Sequence, residues 1–256
     1  MSVTAVIAAA GSGQRLGAGG PKAVVPLAGR PLVEWSIAAF RAAPSVRSIV
    51  VACPPGHVHD LAGGDLGVVD GGATRAESVA NALAAVGTEL VAIHDAARPL
   101  VTPELIEGVV ATLAAVPDAA GAIAATPVTD TIKRVRERTR RTLSMPDMGN
   151  VRRVDSTIER GRLWAAQTPQ VFRTDRLREA LAADPEAIAA ATDEAMIVEE
   201  AGGTVLIHPS PPENLKVTTP LDLRLAELLL AEQGPDQDRG EADLADAEGD
   251  AEADGA

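Results

Sequence analysis

Short apolar runs alternate along this chain with segments whose apolar residues recur at helical spacing. The runs predict buried β-strands, because each spans only a few residues and most end near Gly or Pro. Predicted strands occupy Val3–Ala8, Val46–Cys53, Gly67–Val69, Leu90–His94 and Ala119–Thr126. Predicted helices cover Pro31–Ala43 and Glu77–Val86, and a third begins with Thr102 as N-cap and Pro103 as its first residue. This alternation favours right-handed βαβ units, hence an α/β fold with a mostly parallel sheet flanked by helices.

A charged segment interrupts the alternation after Pro127. Ile132–Asp155 is rich in Arg and weakly periodic, and turn signals occur at Met145–Asp147 and Gly149-Asn150. We interpret this segment as an excursion from the sheet that forms a hairpin arm. The regular pattern then resumes, with predicted helices at Asp175–Ala183, Asp193–Glu200 and Pro220–Leu230 and predicted strands at Val205–His208 and Leu215–Val217.

The acidic residues are concentrated at the C-terminal end of the chain. The net charge is −13, of which residues 231–256 contribute −9 through ten acidic residues and one Arg, leaving −4 for residues 1–230. Because this end has one Leu and no aromatic residue, we expect a disordered tail after a single folded domain in residues 1–230. The acidic balance also argues against a nucleic-acid partner, which requires a basic face.

Cysteine usage and hydropathy favour a cytoplasmic protein. Cys53 is the single cysteine, so an internal disulfide and a cysteine-cluster metal site are both excluded. No apolar run reaches the roughly 18 residues needed to span a bilayer. The N-terminus, Met1–Thr4, lacks the basic start of a secretory signal. We read His57 and His59 as part of a surface loop, because further metal ligands are not indicated nearby.

A glycine-rich segment, Gly11–Gly20, follows the first predicted strand and contains Arg15, with Lys22 just beyond it. Glycines let backbone N–H groups approach phosphate oxygens, and two cations could neutralise a triphosphate and its transition state. A Walker A loop is excluded, since Ser or Thr does not follow a Gly-Lys pair here. A dinucleotide fingerprint is disfavoured, because Leu16 takes the third glycine position and Glu34 lies within a predicted helix. A plain glycine-rich turn with surface cations remains the structural alternative.

Six motifs in the same order resemble those of one family, the 2-C-methyl-D-erythritol 4-phosphate cytidylyltransferases, within the nucleotidyltransferases that activate sugars and polyols. The resemblance runs from about Val3 to about Leu230 and omits only the tail. The motifs are Ala9-Ala10-Gly11-x-Gly13-x-Arg15-Leu16 with Pro21-Lys22, Asp70-Gly71-Gly72-x-x-Arg75-x-x-Ser78-Val79, His94-Asp95-Ala96-Ala97-Arg98-Pro99, Thr168-Pro169-Gln170, Thr192-Asp193-Glu194-Ala195 and Asn214-Leu215-Lys216-Val217-Thr218. The resemblance implies a Rossmann-like sheet with the nucleotide bound beyond its strand ends.

The resemblance also implies roles for particular residues. Arg15 and Lys22 would carry the transition-state charge, and Asp95 would bind substrate hydroxyls or approach a Mg²⁺ ion. The residues expected around the nucleotide are Ala9, Ala10, Gly11, Gly13, Gly72, Ser78, Asp95 and Ala96, with Gly72 and Ser78 reading cytosine and ribose. The residues expected around the substrate are Asp95, Arg98, Thr131, Arg160, Thr168 and Thr192, and Lys216 would position the attacking phosphate. We expect His94 to be a neutral packing residue.

The arm, about residues 128–160, would form a homodimer in which Thr131 and Arg160 complete the partner's site. Three departures from the family bear on these expectations. The segment from Lys133 to Ile158 is longer than usual, Ala73 replaces a common polar residue, and Gln14 stands where a second basic residue is frequent.

The implied reaction transfers CMP from CTP to 2-C-methyl-D-erythritol 4-phosphate, giving CDP-methylerythritol and pyrophosphate for isoprenoid-precursor synthesis by the non-mevalonate route. A ribitol-5-phosphate cytidylyltransferase is the nearest alternative, since it shares the fold, CTP and most motifs. A non-catalytic nucleotide-binding module and an NAD-dependent oxidoreductase are more distant alternatives.

Overall fold

A computed structural model describes residues 1–11, 13, 16, 20–54, 56, 66–136, 152–183 and 191–233. Within these residues, seven strands form one sheet: β1 (Val3–Ala8), β4 (Val46–Cys53), β5 (Leu66–Asp70), β6 (Leu90–Asp95), β7 (Gly121–Pro127), β10 (Trp164–Arg173) and β11 (Val205–Pro209). Their order across the sheet is β11-β7-β10-β6-β1-β4-β5. Two short strands, β2 (Pro26–Leu27) and β3 (Arg30–Pro31), pair separately.

Parallel pairing dominates the sheet, as the alternation predicts. β1 pairs in parallel with β4 on one side and β6 on the other, β4 pairs with β5, and β7 pairs with β11. β10 is antiparallel to both of its neighbours, β6 and β7. The chain moves outward from β1 to β4 and β5 and then returns to place β6 on the opposite side of β1. The gap beyond the carboxyl ends of β1 and β6 is therefore a topological switch point, where open α/β sheets bind ligands.

Helices cover both faces of the sheet. The described helices are α1 (Leu32–Ala42), α2 (Arg75–Leu83), α3 (Pro103–Ala114), α4 (Thr174–Ala183), α5 (Glu194–Glu200) and α6 (Pro220–Gln233). α1 and α3 bury Phe40 and Leu113 in one apolar cluster against the sheet. α2, α4 and α5 contribute Val79, Leu177 and Val198 to a second cluster on the other face. Burial on both faces explains why β1 and β6 are apolar along most of their length.

The predicted hairpin is present next to the sheet. β8 (Lys133–Val135) pairs antiparallel with β9 (Val154–Thr157). Every residue of both strands is exposed, so within the described chain neither face of the hairpin is covered. The predicted turn signals at residues 145–150 lie outside the described residues.

Most predicted elements are confirmed, and the differences have physical reasons. Leu215–Val217 was wrongly predicted as a strand: it is an extended segment in which the Val217 amide donates to the carbonyl of Ala97 over 2.8 Å. β10 was missed because its polar residues and Pro169 are atypical of a buried strand. Pro31 is the N-cap of α1 rather than a residue of its first turn. α6 ends at Gln233, so it includes the first three residues of the predicted tail. Residues 234–256 lie outside the described residues, as does the predicted loop at His57 and His59.

Candidate active site

A pocket of about 630 Å³ opens at the switch point between β1 and β6. This volume lies within the range of small-molecule sites. Three segments form its walls: the loop after β1, the turn that enters α2, and the end of β6 with the segment before α6. Among the described residues that line it are Ala8, Ala9, Ala10, Gly11, Gly13, Leu16, Lys22, Gly72, Thr74, Arg75, Ser78, Asp95, Ala96, Lys216 and Thr218. All eight predicted nucleotide-site residues are therefore brought together.

The loop after β1 closes on itself and places Lys22 on the pocket wall. The Lys22 amide donates to the Gly11 carbonyl over 3.0 Å, and the Leu16 amide donates to the Gly13 carbonyl over 2.9 Å. Gly13 has a φ of +66°, and a Cβ there would lie 2.8 Å from the carbonyl oxygen of Gly20. This close approach requires glycine, both for its backbone conformation and for the space. Arg15, the second predicted cation, lies outside the described residues.

The turn before α2 is fixed by two side chains. The Ser78 hydroxyl donates to the Thr74 carbonyl over 2.8 Å and accepts the Gly72 amide over 3.0 Å. Thr74 and Glu77 form a capping box at the start of α2, which satisfies amides that the first turn leaves unpaired. Ser78 thus holds the Gly72 backbone at the pocket wall, and its hydroxyl already bonds within the protein.

Asp95, at the end of β6, is the electrostatic centre of the pocket. Its Oδ2 lies 2.6 Å from the Nζ of Lys216, and its Oδ1 lies 2.9 Å from the Nε of Arg75. Burial alone would raise the pKa of Asp95, but the adjacent Arg75 and Lys216 outweigh it and hold the pKa well below its ordinary value. Asp95 is therefore a carboxylate across the physiological range, with one cation on each oxygen.

Arg75 and Glu194 extend this centre, and sequence reasoning assigned neither a role. The Nη1 of Arg75 lies 2.7 Å and 2.5 Å from the two carboxylate oxygens of Glu194, whose side chain is only 1% exposed. Burial would lower the pKa of Arg75, but Asp95 and Glu194 raise it above its ordinary value. Both residues lie within motifs quoted in the sequence analysis, and this was the indication in the sequence that they contribute to the site. The two residues are 119 positions apart in the sequence, and the residues around each of them do not indicate that their side chains are in contact.

Thr168 and His94 support Asp95 from behind the pocket. The Thr168 hydroxyl accepts the Asp95 amide over 3.1 Å and lies 3.1 Å from the Nδ1 of His94. The other ring nitrogen of His94 lies 3.2 Å from the carbonyl of Arg98, which can only accept, so we assign the tautomer with its proton on Nε2. Burial lowers the pKa of His94 to about 4. His94 is thus neutral and packed, as its position in the motif predicted.

The remaining predicted substrate residues do not line this pocket within the described chain. Arg98 is buried, and its Nη1 donates to the carbonyl of Asn214 over 2.7 Å. Thr168 is buried in the network just described, whereas Thr192 is exposed at the start of the α5 segment. Thr131 and Arg160 are exposed in the arm, where the Arg160 guanidinium donates to the carbonyl of Thr129. The substrate-binding roles of these residues stay predictions.

The pocket offers sparse but suitable ligands for a divalent metal. Groups of three or more His, Cys, Asp or Glu side chains that could hold a metal do not occur in the described part of the chain. Asp95 is the one carboxylate among the described lining residues. A hard cation that keeps most of its water and is bound by one carboxylate together with phosphate oxygens fits this arrangement.

Among the described helices, none is both long and apolar enough to cross a membrane.

Comparison with known proteins identifies relatives along nearly the whole chain. The family model described as IspD, 2-C-methyl-D-erythritol 4-phosphate cytidylyltransferase, matches residues 3–232. The enzyme of that name from Frankia casuarinae is 42% identical over 246 residues, covering 94% of this chain and 86% of the relative. The one from Symbiobacterium thermophilum is 41% identical over 244 residues, covering 90% of this chain and 94% of the relative.

Solved structures agree with the sequence relatives. The crystal structure of 2-C-methyl-D-erythritol 4-phosphate cytidylyltransferase from Thermus thermophilus superposes with a TM-score of 0.70 at 34% identity, covering 90% of this chain and 100% of that chain. The Francisella tularensis enzyme gives a TM-score of 0.73 at 28% identity, covering 89% of this chain and 99% of that chain. The structural similarity therefore covers about nine tenths of this chain.

Proposed function

Because this chain belongs to the 2-C-methyl-D-erythritol 4-phosphate cytidylyltransferase family, it transfers CMP from CTP to 2-C-methyl-D-erythritol 4-phosphate, and we propose that the pocket around Asp95 is where it does so. The observation that carries this assignment is the meeting of Lys22, Arg75 and Lys216 at the switch point of the sheet. Among the described residues, these three cations outnumber the two carboxylates of Asp95 and Glu194. The resulting net positive charge is what a triphosphate and a phosphorylated polyol require.

The reaction is an in-line displacement at the α-phosphorus of CTP. A phosphate oxygen of the substrate forms the new P–O bond, and the bond to the β-phosphate breaks so that pyrophosphate leaves with its electron pair. A phosphate monoester is largely dianionic at pH 7, because its second pKa is about 6, so a general base is not required. This agrees with His94, which is neutral, buried and turned away from the pocket.

Catalysis then depends on positioning and charge neutralisation. Lys22, together with Arg15, would neutralise the triphosphate and the extra charge of the five-coordinate phosphorus. Lys216 would hold the attacking phosphate. The tight Gly72 turn and the backbone of Ala9–Gly11 would form a slot for cytosine and ribose that excludes purines by size.

A divalent metal is generally used by nucleotidyltransferases, and Mg²⁺ is the ion we propose here. Asp95 would hold it together with phosphate oxygens of the nucleotide. The ion would supply neutralisation of phosphate charge. We further place the reaction in the cytoplasm, which the single cysteine supports, because one cysteine cannot form an internal disulfide.

We also propose that the chain acts as a homodimer through its arm. An isolated two-stranded hairpin is marginally stable in water. The β8–β9 hairpin nevertheless exposes Val135 at 48% and Val154 at 52%, so an apolar cover from a second copy would stabilise it. Thr131 and Arg160 on this arm would then reach the partner's pocket and hold the substrate phosphate.

Pyrophosphate release tests the proposed function directly. The purified chain would be supplied with CTP, UTP, ATP or GTP together with 2-C-methyl-D-erythritol 4-phosphate or ribitol 5-phosphate. We expect release only with CTP, and faster with the methylerythritol phosphate. Faster release with ribitol 5-phosphate would assign the alternative substrate, and CTP binding without release would identify a binding module.

Lys22→Gln, which keeps the side chain's polarity without its charge, should lower kcat far more than it weakens CTP binding.

A further inference from the structure

Arg75 is held between two carboxylates that have different access to the pocket. Its Nη1 contacts both oxygens of Glu194, which is buried beneath the pocket wall, and its Nε contacts only Oδ1 of Asp95. The second oxygen of Asp95, Oδ2, contacts Lys216 instead. Because Arg75 is shared between two acids, it contacts only Oδ1 of Asp95, and Oδ2 is left to contact Lys216.

This arrangement differs from the usual preference of arginine. Arginine and a carboxylate commonly form two parallel hydrogen bonds, here through Nε and Nη2 to the two oxygens of one acid. If Arg75 turned to make that pair with Asp95, its Nη2 would take Oδ2 and displace Lys216. In the structure both oxygens of Glu194 accept from Nη1, and Asp95 receives one hydrogen bond, from Nε.

We propose that Glu194 is a positioning residue that keeps Arg75 from closing on Asp95, so that Oδ2 stays open to Lys216 and to ligands at the pocket. The expected effect on kcat rests on the proposed function. The expected orientation of Arg75 does not depend on which substrate the pocket binds. Glu194 touches neither the pocket opening nor the reacting atoms. It acts through Arg75, the first residue of α2, which connects the ends of β6 and α5.

The test combines crystal structures and kinetics of Glu194→Gln in the full chain. Glutamine keeps the size of the side chain but removes its charge, so Arg75 is left with Asp95 as its one anionic partner. We expect the variant's structure to show Arg75 paired through Nε and Nη2 with both oxygens of Asp95, and Lys216 displaced. We expect kcat to fall about tenfold or more. Glu107→Gln is the control, because the half-buried Glu107 also accepts a hydrogen bond, from the Ser45 amide at 2.9 Å, but does not line the pocket.

Arg75→Lys and the double variant Arg75→Lys/Glu194→Gln separate positioning from general support of the fold. A lysine ammonium cannot hold both acids in the same geometry, so Arg75→Lys should lose kcat to a similar extent and the double variant should lose little more. The proposal is overturned if Arg75 keeps its single contact with Asp95 in Glu194→Gln, or if the two losses multiply. Should Glu194→Gln not fold, Arg75→Lys decides, and kcat within twofold of the unsubstituted chain would reject the proposal. Failure of the proposed function would appear instead as absence of transfer by the unsubstituted chain.

Discussion

The ammonium of Lys216 lies 2.6 Å from Oδ2 of Asp95, across the junction between the end of β6 and the segment that leads into α6. The two residues differ in access, since the side chain of Lys216 is 43% exposed and that of Asp95 only 11%. Lys216 can therefore exchange its partner for an incoming phosphate without unpacking the protein. Asp95 would keep Arg75 when that happens, so its charge would not be left unpaired.

Lys216→Gln should impair catalysis much more than folding. Loss of the ammonium removes the group that holds the attacking phosphate, and we expect kcat to fall about 10²-fold, as for other preorganised charge contacts. Thermal stability should change little, because a half-exposed ion pair contributes little to it. Pyrophosphate release and thermal unfolding measure the two effects.

Arg176→Gln is the control for that substitution, because Arg176 forms an exposed pair with Glu179 on α4. We expect it to leave both quantities unchanged. Lys216→Gln with unsubstituted kcat would remove Lys216 from the catalytic site.

Gly13→Ala should weaken CTP binding by straining the loop after β1. A left-handed backbone costs alanine about 1 kcal/mol or more, and the added Cβ would meet the Gly20 carbonyl at 2.8 Å. The loop would shift, so we expect the Kd for CTP to rise about tenfold, measured by titration calorimetry. Gly20→Ala is the matched control in the same loop, since its Cβ would have no neighbour within 4 Å among the residues that the structure describes. Equal affinity in both variants would show that the closed loop does not form the nucleotide site.

Local patterns were sufficient to predict most of the sheet and the pocket's position. Val3–Ala8 and Val46–Cys53 match β1 and β4, because apolar runs of this length have few alternatives in a doubly covered sheet. Lys22 was found because it closely follows the glycine-rich loop after the first predicted strand. The role of Asp95 was implied by the resemblance of its motif to the family, not by neighbouring residues.

The missed features depend on contacts between distant parts of the chain. Gln170 in β10 is 1% exposed, and its side-chain amide donates to Asp193 over 2.8 Å. A buried strand position occupied by Gln is reasonable only once that partner is known. The same holds for Arg75, whose two acids lie 20 and 119 positions away. The sequence motifs include these residues but do not indicate which of their side chains are in contact.

His94 should make the protein less stable as the pH falls below 6.5. The unfolded chain binds a proton at His94 below about pH 6.5, whereas burial lowers the pKa in the folded protein to about 4. Between these values the unfolded state binds more protons, so the free energy of unfolding decreases as pH falls, and this contribution is fully lost below pH 4. Its size is on the order of 3 kcal/mol.

His94→Gln removes the titrating group and should flatten this part of the pH profile. Urea unfolding at several pH values between 4.5 and 7.5 measures the slope. His208→Gln is the comparison, because His208 is half-buried and burial lowers its pKa as well, but we expect a smaller change in slope. An unchanged slope in His94→Gln would mean that the pKa of His94 is the same in the folded and the unfolded protein.

Mixing two inactive variants should restore activity if the arm completes the partner's site. Lys22→Gln disables the pocket of its own chain, and Arg160→Gln would disable the pocket of its partner. In a mixed dimer both defects then fall on one pocket and the other is intact. With random exchange half the dimers are mixed, so about one quarter of the unsubstituted activity should return. Lys22→Gln mixed with Lys216→Gln is the control, because both residues line the pocket of their own chain and every mixed dimer stays inactive. Recovery no greater than in that control would place Arg160 in its own subunit's site or outside the site altogether.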